Sequence, residues 1–236
     1  MNKVLTWLKN VTQSLEYLKK QNDELIWADI YNSTIANSSW FDQSVSPGRW
    51  AVGYPLLYVL YRILDEQNVN SILELGFGQS SKMTCCYTHT KNNVSHIIVD
   101  HNNDWTDFFS HNIDEIFDKS KLVLCDLDYN DVYEHYSYNG FKDSIPILEY
   151  DLIIVDGPYG SEHDSRNDIL GIIPSRLASD FVIILDDCER EGEKETFEKL
   201  LHILVENGID CSVGVYSGIK EVRVITSKSR SYLCTL

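Results

Sequence analysis

Acidic residues and glycines follow four apolar segments of the chain, and these residue types could do chemistry together. Residues 71–78 read Ser-Ile-Leu-Glu-Leu-Gly-Phe-Gly, so an apolar run leads into a glutamate and two closely spaced glycines. The other three segments end at Asp100, Asp156 and the pair Asp186-Asp187. Because a ligand of an open α/β sheet lies beyond the carboxyl ends of its strands, the four ends predict one binding site.

The first of these turns predicts close contact with a ligand through its backbone. Gly76 and Gly78 carry no Cβ and can adopt positive φ angles, so the chain around Phe77 can approach a bound molecule closely. A dinucleotide-binding turn has the pattern Gly-x-Gly-x-x-Gly, but Ser81 stands where the third glycine would be. With Glu74 before it, the turn instead suits a nucleoside that carries an amino acid.

Two further strand ends offer carboxylates to the rest of such a nucleoside. Asp100 can accept hydrogen bonds from both hydroxyls of a ribose, and we expect His101 beside it to lie near the same nucleoside. Asp126, after the apolar run at 121–125, could accept a hydrogen bond from an exocyclic adenine amine. Either aspartate could instead cap the helix that follows it.

Three carboxylates at the remaining strand ends form a candidate metal site. Asp156 and the pair Asp186-Asp187 end runs that we expect to be neighbouring strands, about 4.8 Å apart. Carboxylates this close repel one another and raise each other's pKa unless a cation lies among them. An all-oxygen site suits Mg²⁺ or Mn²⁺. The alternative is that the aspartate pair only caps a helix predicted at 191–207.

A proton acceptor and a positioning cation are expected on the loop after Asp156. His163 has a suitable intrinsic pKa for a general base, although a loop histidine can also be merely solvated. Asp156 could serve as the base instead, provided that it is not committed to a metal. Arg166 could position an acceptor oxygen or a phosphate, or it could form a surface ion pair.

The elements that must position these residues alternate along the chain. Strands are predicted in five apolar runs. The first begins at residue 71, and the others span 95–100, 121–125, 150–156 and 180–186. Helices are predicted at 54–67, 79–90, 104–118, 165–177 and 191–207. Residues 127–149 are expected to be irregular, and 211–217 to pair with 220–227. The alternation predicts an α/β fold: a Rossmann-like, doubly wound, mostly parallel sheet with an antiparallel C-terminal hairpin.

Residues 1–53 predict a helical extension to a main domain that spans residues 54–236. Apolar residues recur in the extension at alternating steps of four and three, interrupted once by an asparagine. The positions are Val4, Leu8, Val11, Leu15, Leu18, Asn22 and Leu25. Such a heptad buries against another helix, and one asparagine can fix the register of a two-stranded coil. We therefore expect a homodimer, with the extension also covering the active site. The alternative is a helix that packs on its own domain.

The composition disfavours several classes of partner. Lysine and arginine number 20 against 36 acidic residues, a formal charge of −16, which disfavours DNA or RNA as a ligand. No run of about 18 apolar residues predicts a membrane span, and the N-terminus lacks the long apolar stretch of a signal peptide. The six cysteines show no metal-type spacing and are expected to be buried free thiols, which predicts a cytoplasmic location.

The ordered motifs resemble those of class I S-adenosylmethionine-dependent methyltransferases. They are residues 74–78, Asp100, Asp126 and the segment Asp156-Gly157-Pro158, within a resemblance that covers residues 68–227. The resemblance implies that the cofactor is S-adenosyl-L-methionine. The residues that it places around this cofactor are Glu74, Gly76, Phe77, Gly78, Asp100, His101, Asp126 and Asp156.

Two shorter segments resemble methyltransferases that act on sugars. Residues 150–158, with Gly160 and Ser165-Arg166, are similar to the plant glucuronoxylan O-methyltransferases. The pair at 186–187 is similar to the metal-dependent O-methyltransferases of antibiotic sugars. This resemblance implies methyl transfer to a hydroxyl of a nucleotide-linked or surface-polysaccharide sugar. A bound Mg²⁺ would lower the pKa of that hydroxyl, which is otherwise a poor nucleophile.

Three other functions remain open at this point. A phenol or another small metabolite could be the acceptor, although the aspartate pair weighs against it. The chain could transfer an aminopropyl group from the decarboxylated cofactor to a polyamine, which the acidic charge permits. A non-catalytic protein could keep the fold and use its N-terminal helix for assembly.

Overall fold

The computed structural model of the chain describes residues 2–132 and 134–236, with helical side chains described from residue 5 onward. Val4, the first position of the predicted heptad, therefore lies outside the described side chains. The helices are α1 (Asn2–Ile35), α2 (Tyr54–Glu66), α3 (Gln79–Thr90), α4 (Asn103–His111), α5 (Asp114–Phe117), α6 (Phe141–Ser144) and α7 (Glu191–Glu206). The strands are β1 (Ser71–Leu75), β2 (Ser95–Asp100), β3 (Ser120–Leu124), β4 (Leu127–Asn130), β5 (His135–Tyr138), β6 (Tyr150–Val155), β7 (Leu177–Leu185), β8 (Cys211–Ser217) and β9 (Glu221–Ser227).

Seven of these strands form one sheet in the order β3-β2-β1-β6-β7-β9-β8. Strands β3, β2, β1, β6 and β7 pair in parallel, whereas β9 pairs antiparallel with both β7 and β8. The predicted fold class is confirmed, including the antiparallel hairpin at the C-terminus. Strand order reverses between β1 and β6, and in such sheets the crevice for a ligand opens at this point.

Both faces of the sheet are buried, as its apolar strands require. Successive side chains of a strand point to opposite faces, so neighbouring residues of β6 belong to different halves of the core. Leu152 and Ile154 pack on the side of α2, while Ile153 and Val155 pack on the side of α7. The two layers of helices hold the strand ends, and therefore the candidate site, in fixed positions.

Two segments fold differently from the sequence prediction. Residues 127–149 are not wholly irregular, because β4 and β5 form an antiparallel hairpin before the short helix α6. The helix predicted at 165–177 is wrong: only a 3₁₀ turn forms at Asn167–Gly171, and β7 already begins at Leu177. Gly171 disfavours a helix, and Pro174 cannot donate the backbone hydrogen bond that a helix interior needs.

The long helix α1 is attached to the main domain through its second half. The carboxylate of Glu24 accepts hydrogen bonds from the N–H groups of Tyr54 (2.7 Å) and Ile219 (2.9 Å). The indole of Trp27 donates to the carbonyl of Ser217 over 3.0 Å. These bonds join α1 both to the start of α2 and to the turn between β8 and β9.

The apolar heptad positions of α1 from Leu8 onward, whose side chains are described, are exposed instead of being buried against the rest of the chain. Their apolar side chains are exposed by 36% to 69%. They are Leu8, Val11, Leu15, Leu18 and Leu25. Among the described residues, no helix combines the length and the apolar character that crossing a membrane requires. All six cysteines are free, four of them buried and two half-buried.

Candidate functional site

A cavity of about 390 Å³ opens where the strand order reverses. Its first wall comes from the turns after β1 and β2 and from α4: Gly76, Phe77, Gly78, Gln79, Asp100, His101 and Trp105. Its second wall follows β6 and β7 and carries most of the charge: Asp156, Tyr159, Arg166, Asp187, Arg190 and Lys220. The mouth is formed by residues 46–51, in which Trp50 is 93% exposed.

The floor of the cavity requires glycine at two positions. Gly76 has a φ of +98°, and a Cβ there would lie 3.0 Å from the backbone nitrogen of Gly157. A Cβ on Gly157 would lie 2.9 Å from the Cα of Gly76 and 2.5 Å from the hydroxyl of Tyr138. The turns after β1 and β6 therefore touch each other directly, and only glycine fits at either position.

The turn at 76–78 uses its own N–H groups inside the protein. Gly76 donates to the carbonyl of Val99, Phe77 to the Asp100 carboxylate, and Gly78 to the hydroxyl of Ser81. The turn thus offers a ligand close approach rather than amide donors. A Cβ on Gly78 would meet nothing within 4 Å, so the space beside it is free for a bound molecule.

Asp100 organises the first wall. Its carboxylate accepts hydrogen bonds from the N–H groups of Phe77 (2.8 Å), His101 (2.7 Å) and Asn102 (2.9 Å). A carboxylate has about four acceptor positions, so roughly one is left for a ligand hydroxyl. That Asp100 accepts hydrogen bonds from both hydroxyls of a ribose stays a prediction, and the carboxylate has room for about one such bond beside its three backbone bonds.

His101 lies beside Asp100 on the same wall. Its ring centroid is 4.4 Å from that of Tyr159, and neither ring nitrogen has a hydrogen-bond partner. Burial lowers the pKa of His101, which keeps the ring neutral at pH 7. The ring can consequently contact a neutral, flat group of a ligand in the cavity.

Two residues predicted around the cofactor do not line this cavity. Glu74 is fully buried, and its carboxylate accepts hydrogen bonds from Ser80 (2.6 Å) and Thr84 (2.9 Å) of α3. It holds the helix that follows the turn and has no access to a ligand. Asp126 is exposed outside the cavity, because the chain turns away after β3 and continues into β4.

The three carboxylates predicted at the ends of β6 and β7 do meet. One oxygen each of Asp156, Asp186 and Asp187 lies within 4.8 Å of the others. The parallel pairing of Val155 with Leu185 brings these residues to the same edge of the sheet. Arg166 lies among them: its Nη2 is 2.6 Å from Asp187 and 3.5 Å from Asp156.

A second buried cation, which we did not predict from the sequence, lies in this cluster. The ammonium of Lys220 lies 3.2 Å from Asp186 and 3.0 Å from Asp187, and the residue is only 8% exposed. A signal for it existed. Because the antiparallel strand β9 starts at the edge where β7 ends, the hairpin predicted from residue 220 places Lys220 beside the aspartates.

Burial and neighbouring charges set different pKa values within the cluster. Burial, aided by the nearby Asp186, raises the pKa of Asp156 to about 8. Burial also opposes ionisation of Asp187, but the charges of Arg166 and Lys220 outweigh it and lower the pKa of Asp187. Asp156 therefore carries a proton at neutral pH, while Asp187 is ionised among three cations, Arg166, Lys220 and the partly exposed Arg190.

Two residues of the cluster hold backbone conformations that only glycine adopts easily. Arg166 has a φ of +57° and Asp187 a φ of +61°. Such conformations cost about 1–3 kcal/mol each and persist where the surroundings fix them. The bond of 2.6 Å between these two side chains is one such constraint. The local backbone is shaped to bring the guanidinium and the carboxylate together.

The residues present do not fit the predicted Mg²⁺ or Mn²⁺. The donor set is suitable, since it consists of carboxylate oxygens and two of them, Oδ1 of Asp186 and Oδ1 of Asp187, have no hydrogen-bond partner. The guanidinium of Arg166 and the ammonium of Lys220 already lie within 3.5 Å of the three carboxylates. A divalent ion among the same oxygens would be repelled by both cations.

His163 lies away from the cavity. Its side chain is 55% exposed, and its Nδ1 is 3.0 Å from the carboxylate of Glu195. That hydrogen bond raises the pKa of His163. The loop after β6 turns this side chain toward α7, so its position gives no support to the predicted role as a base.

Comparison with known proteins shows a likeness of fold. No protein-family model and no curated protein matches the chain. An O-methyltransferase from Bacillus cereus, in complex with SAH, is similar with a TM-score of 0.51 and 12% identity over 85% of this chain and 90% of that one. The cofactor-bound protein Rv0187 from MTB is similar with a TM-score of 0.50 and 12% identity, over 86% and 89% of the two chains. At such identities the likeness shows the fold alone.

Replacement of Arg166 by methionine is expected to destabilise the protein by about 3–5 kcal/mol, because it leaves buried carboxylates without their cation. The loss should be larger at pH 8 than at pH 5. Without the guanidinium the folded-state pKa of Asp156 rises further and that of Asp187 is no longer held as low, so stability falls as the pH rises from the unfolded to the folded pKa of Asp156. Urea unfolding at both pH values measures this effect.

The matched control is Lys194→Met, which removes an exposed ion pair on α7. It should cost no more than about 1 kcal/mol at either pH. An Arg166 variant as stable as this control would contradict the assignment of Arg166 to the cluster.

Proposed function

We propose that this protein is an S-adenosylmethionine-dependent O-methyltransferase that acts on a sugar hydroxyl. One observation carries the proposal. The cavity where the strand order reverses has two glycines in its floor, one wall that can bind a nucleoside, and a second, charged wall that can bind an acceptor. The first wall ends at Asp100, and the second contains Asp156 and Arg166.

The first wall supports S-adenosylmethionine as the cofactor. The open space beside Gly78 admits the amino-acid end, and Asp100 retains one acceptor position for a ribose hydroxyl. His101 and Trp105 supply flat rings on the same wall. The Bacillus cereus neighbour, which has the same fold, is described in complex with SAH, the compound that S-adenosylmethionine becomes after methyl transfer.

The second wall supports an acceptor with several oxygen atoms. Arg166, Arg190 and Lys220 present hydrogen-bond donors to the cavity, and Trp50 and Tyr159 offer aromatic faces near its mouth. This combination suits a sugar, whose hydroxyls need donors and whose C–H face packs on aromatic rings. The resemblance of residues 150–166 to glucuronoxylan O-methyltransferases favours the same class of acceptor, on a nucleotide or a surface polysaccharide.

In the proposed reaction Asp156 takes the proton of the acceptor hydroxyl. When bound, S-adenosylmethionine supplies a methyl group activated by a positively charged sulfur. The carboxylate of Asp156 accepts the hydroxyl proton as the acceptor oxygen becomes methylated. Arg166 and Lys220 attract that oxygen with their positive charges and orient it with their hydrogen-bond donors. The predicted Mg²⁺ or Mn²⁺ has no part in this proposal, because these two cations already neutralise the aspartates.

The alternative acceptor is a phenol or another small metabolite. A phenol would need fewer donors than the three cationic side chains on the second wall provide. A non-catalytic role is disfavoured by the position of Asp156, whose carboxyl group lines the open cavity beside Arg166 instead of lying sealed in the core.

Calorimetry should detect binding of S-adenosylmethionine to the full chain and no binding of NAD. Gly78→Val should weaken that binding by at least about tenfold, because the new side chain fills open space beside the turn. The unfolding temperature should stay unchanged, since a Cβ at residue 78 meets no protein atom within 4 Å.

Gly171→Val is the control for this experiment, because Gly171 is exposed and its Cβ would also meet nothing within 4 Å. It should bind the nucleoside like the unaltered protein. Equal binding by the Gly78 variant would remove the nucleoside from this wall of the cavity.

Mass spectrometry of a panel of nucleotide sugars, glycans and catechols should show methyl transfer to a sugar. The rate on that acceptor should rise with pH through about 8, where Asp156 loses its proton and becomes able to accept another. Asp156→Asn should lose this rise and about 10²–10⁴-fold in rate.

Asp104→Asn, on the exposed first turn of α4, is the charge-matched control and should keep the pH profile. Transfer to the catechols alone would contradict the sugar assignment. A pH profile that Asp156→Asn leaves unchanged would remove Asp156 from the reaction.

We also propose that α1 pairs with α1 of a second copy. The exposed heptad positions keep a spacing that an identical helix can match, and Asn22 can fix the register. α1 is 34 residues long and therefore contains several heptads. That number of heptads is near the minimum for a two-stranded coil.

Light scattering after gel filtration should give the mass of two chains for the protein and of one chain for the variant Leu15→Glu, Leu18→Glu. The pairing would bury these glutamates, and the unfavourable free energy of burying unpaired charges would prevent the coil from forming. Tyr17→Glu, on the same stretch but outside the heptad positions and 56% exposed, should leave two chains. A single-chain mass for the unaltered protein would refute the pairing.

A further inference from the structure

The ammonium of Lys220 lies against two of the three aspartates that could bind a metal ion. It contacts Oδ2 of Asp186 at 3.2 Å and Oδ1 of Asp187 at 3.0 Å, whereas Arg166 contacts the other carboxylate oxygen of Asp187. The guanidinium of Arg166 contacts Asp187 and Asp156. Each of the three carboxylates that could bind an ion therefore has a cationic side chain within 3.5 Å.

Lys220 is fixed in this position by the turn that carries it. Its own carbonyl accepts a hydrogen bond from Gly218 over 2.8 Å, and Ile219 donates to Glu24 over 2.9 Å. On the other side, Glu221 donates to the carboxylate of Glu189 and accepts from the backbone of Cys188. These bonds fix the backbone of Lys220, and its side chain is held by the ion pairs with Asp186 and Asp187.

Lys220 also lies where it can contact a molecule bound in the cavity. The residue is 8% exposed, yet it lines the main cavity together with Asp156 and Arg166. An ammonium is a compact charge with three donors, so it can bind carboxylates and still direct a donor at an acceptor oxygen. Those are the positioning tasks that a divalent cation performs in an all-oxygen site.

We propose that Lys220 replaces the divalent cation in this protein, so that the aspartate cluster binds neither Mg²⁺ nor Mn²⁺ while Lys220 is present. Removal of Lys220 frees Oδ2 of Asp186 and Oδ1 of Asp187, the carboxylate oxygens that Arg166 does not contact, to bind a divalent ion. The role of Lys220 toward an acceptor rests on the proposed function, whereas its exclusion of the ion does not.

Calorimetry and electron paramagnetic resonance with Mn²⁺ alone, without nucleoside or acceptor, test the proposal on the full chain. The unaltered protein should bind no Mn²⁺ at the cluster. Lys220→Met, which keeps the length of the side chain, should bind Mn²⁺ at least about 100-fold more tightly, because one unit charge is removed at close range. The double variant Lys220→Met, Asp187→Asn should lose the binding again, which locates the ion.

Lys220→Arg is the charge-preserving control and should bind no more Mn²⁺ than the unaltered protein. Binding of Mn²⁺ by the unaltered protein that Asp187→Asn abolishes would overturn the proposal, whether or not the methionine variant folds. Unchanged affinity in a folded Lys220→Met variant would overturn it as well. Failure of methyl transfer alone would instead contradict the proposed function, because the Mn²⁺ measurements involve no turnover.

Discussion

The site depends on direct contact between two backbone turns. Gly76 after β1 and Gly157 after β6 approach until a Cβ on either would collide with the other, and the hydroxyl of Tyr138 closes the space beneath them. The contact lies where the strand order of the sheet reverses, between β1 and its neighbour β6. It leaves a crevice above the turns, and every group that we assign to binding or catalysis lines that crevice or lies directly behind it.

The charged wall of the crevice solves an electrostatic problem created by the sheet. Strand pairing forces Asp156 and Asp186 together, and burial of such carboxylates is costly unless cations accompany them. The side chains of Arg166 and Lys220 balance part of the negative charge, and Asp156 avoids the remainder by keeping its proton. Buried ion pairs add little net stability, so a cluster of this kind is better explained by the work of the site than by the fold.

Much of the fold could be predicted from the sequence, because continuous apolar strands and amphipathic helices leave periodic patterns. The β4–β5 hairpin could not, since its strands have four residues each and are mostly polar. For Glu74 the period of two was informative: it lies on the opposite face of β1 from Leu73 and Leu75, toward α3. The orientation of the His163 side chain depends on how an irregular loop packs on α7. No local sequence pattern predicts that packing.

A single carboxylate connects three parts of the molecule that otherwise lie far apart in the chain. Glu24 on α1 receives one backbone amide from the start of α2 and another from the turn that bears Lys220. The second of these bonds ties α1 to the turn whose next residue, Lys220, contacts the aspartates of the crevice. A substitution that displaces α1 at Glu24 therefore acts at two places, the start of α2 and the turn beside the charged wall.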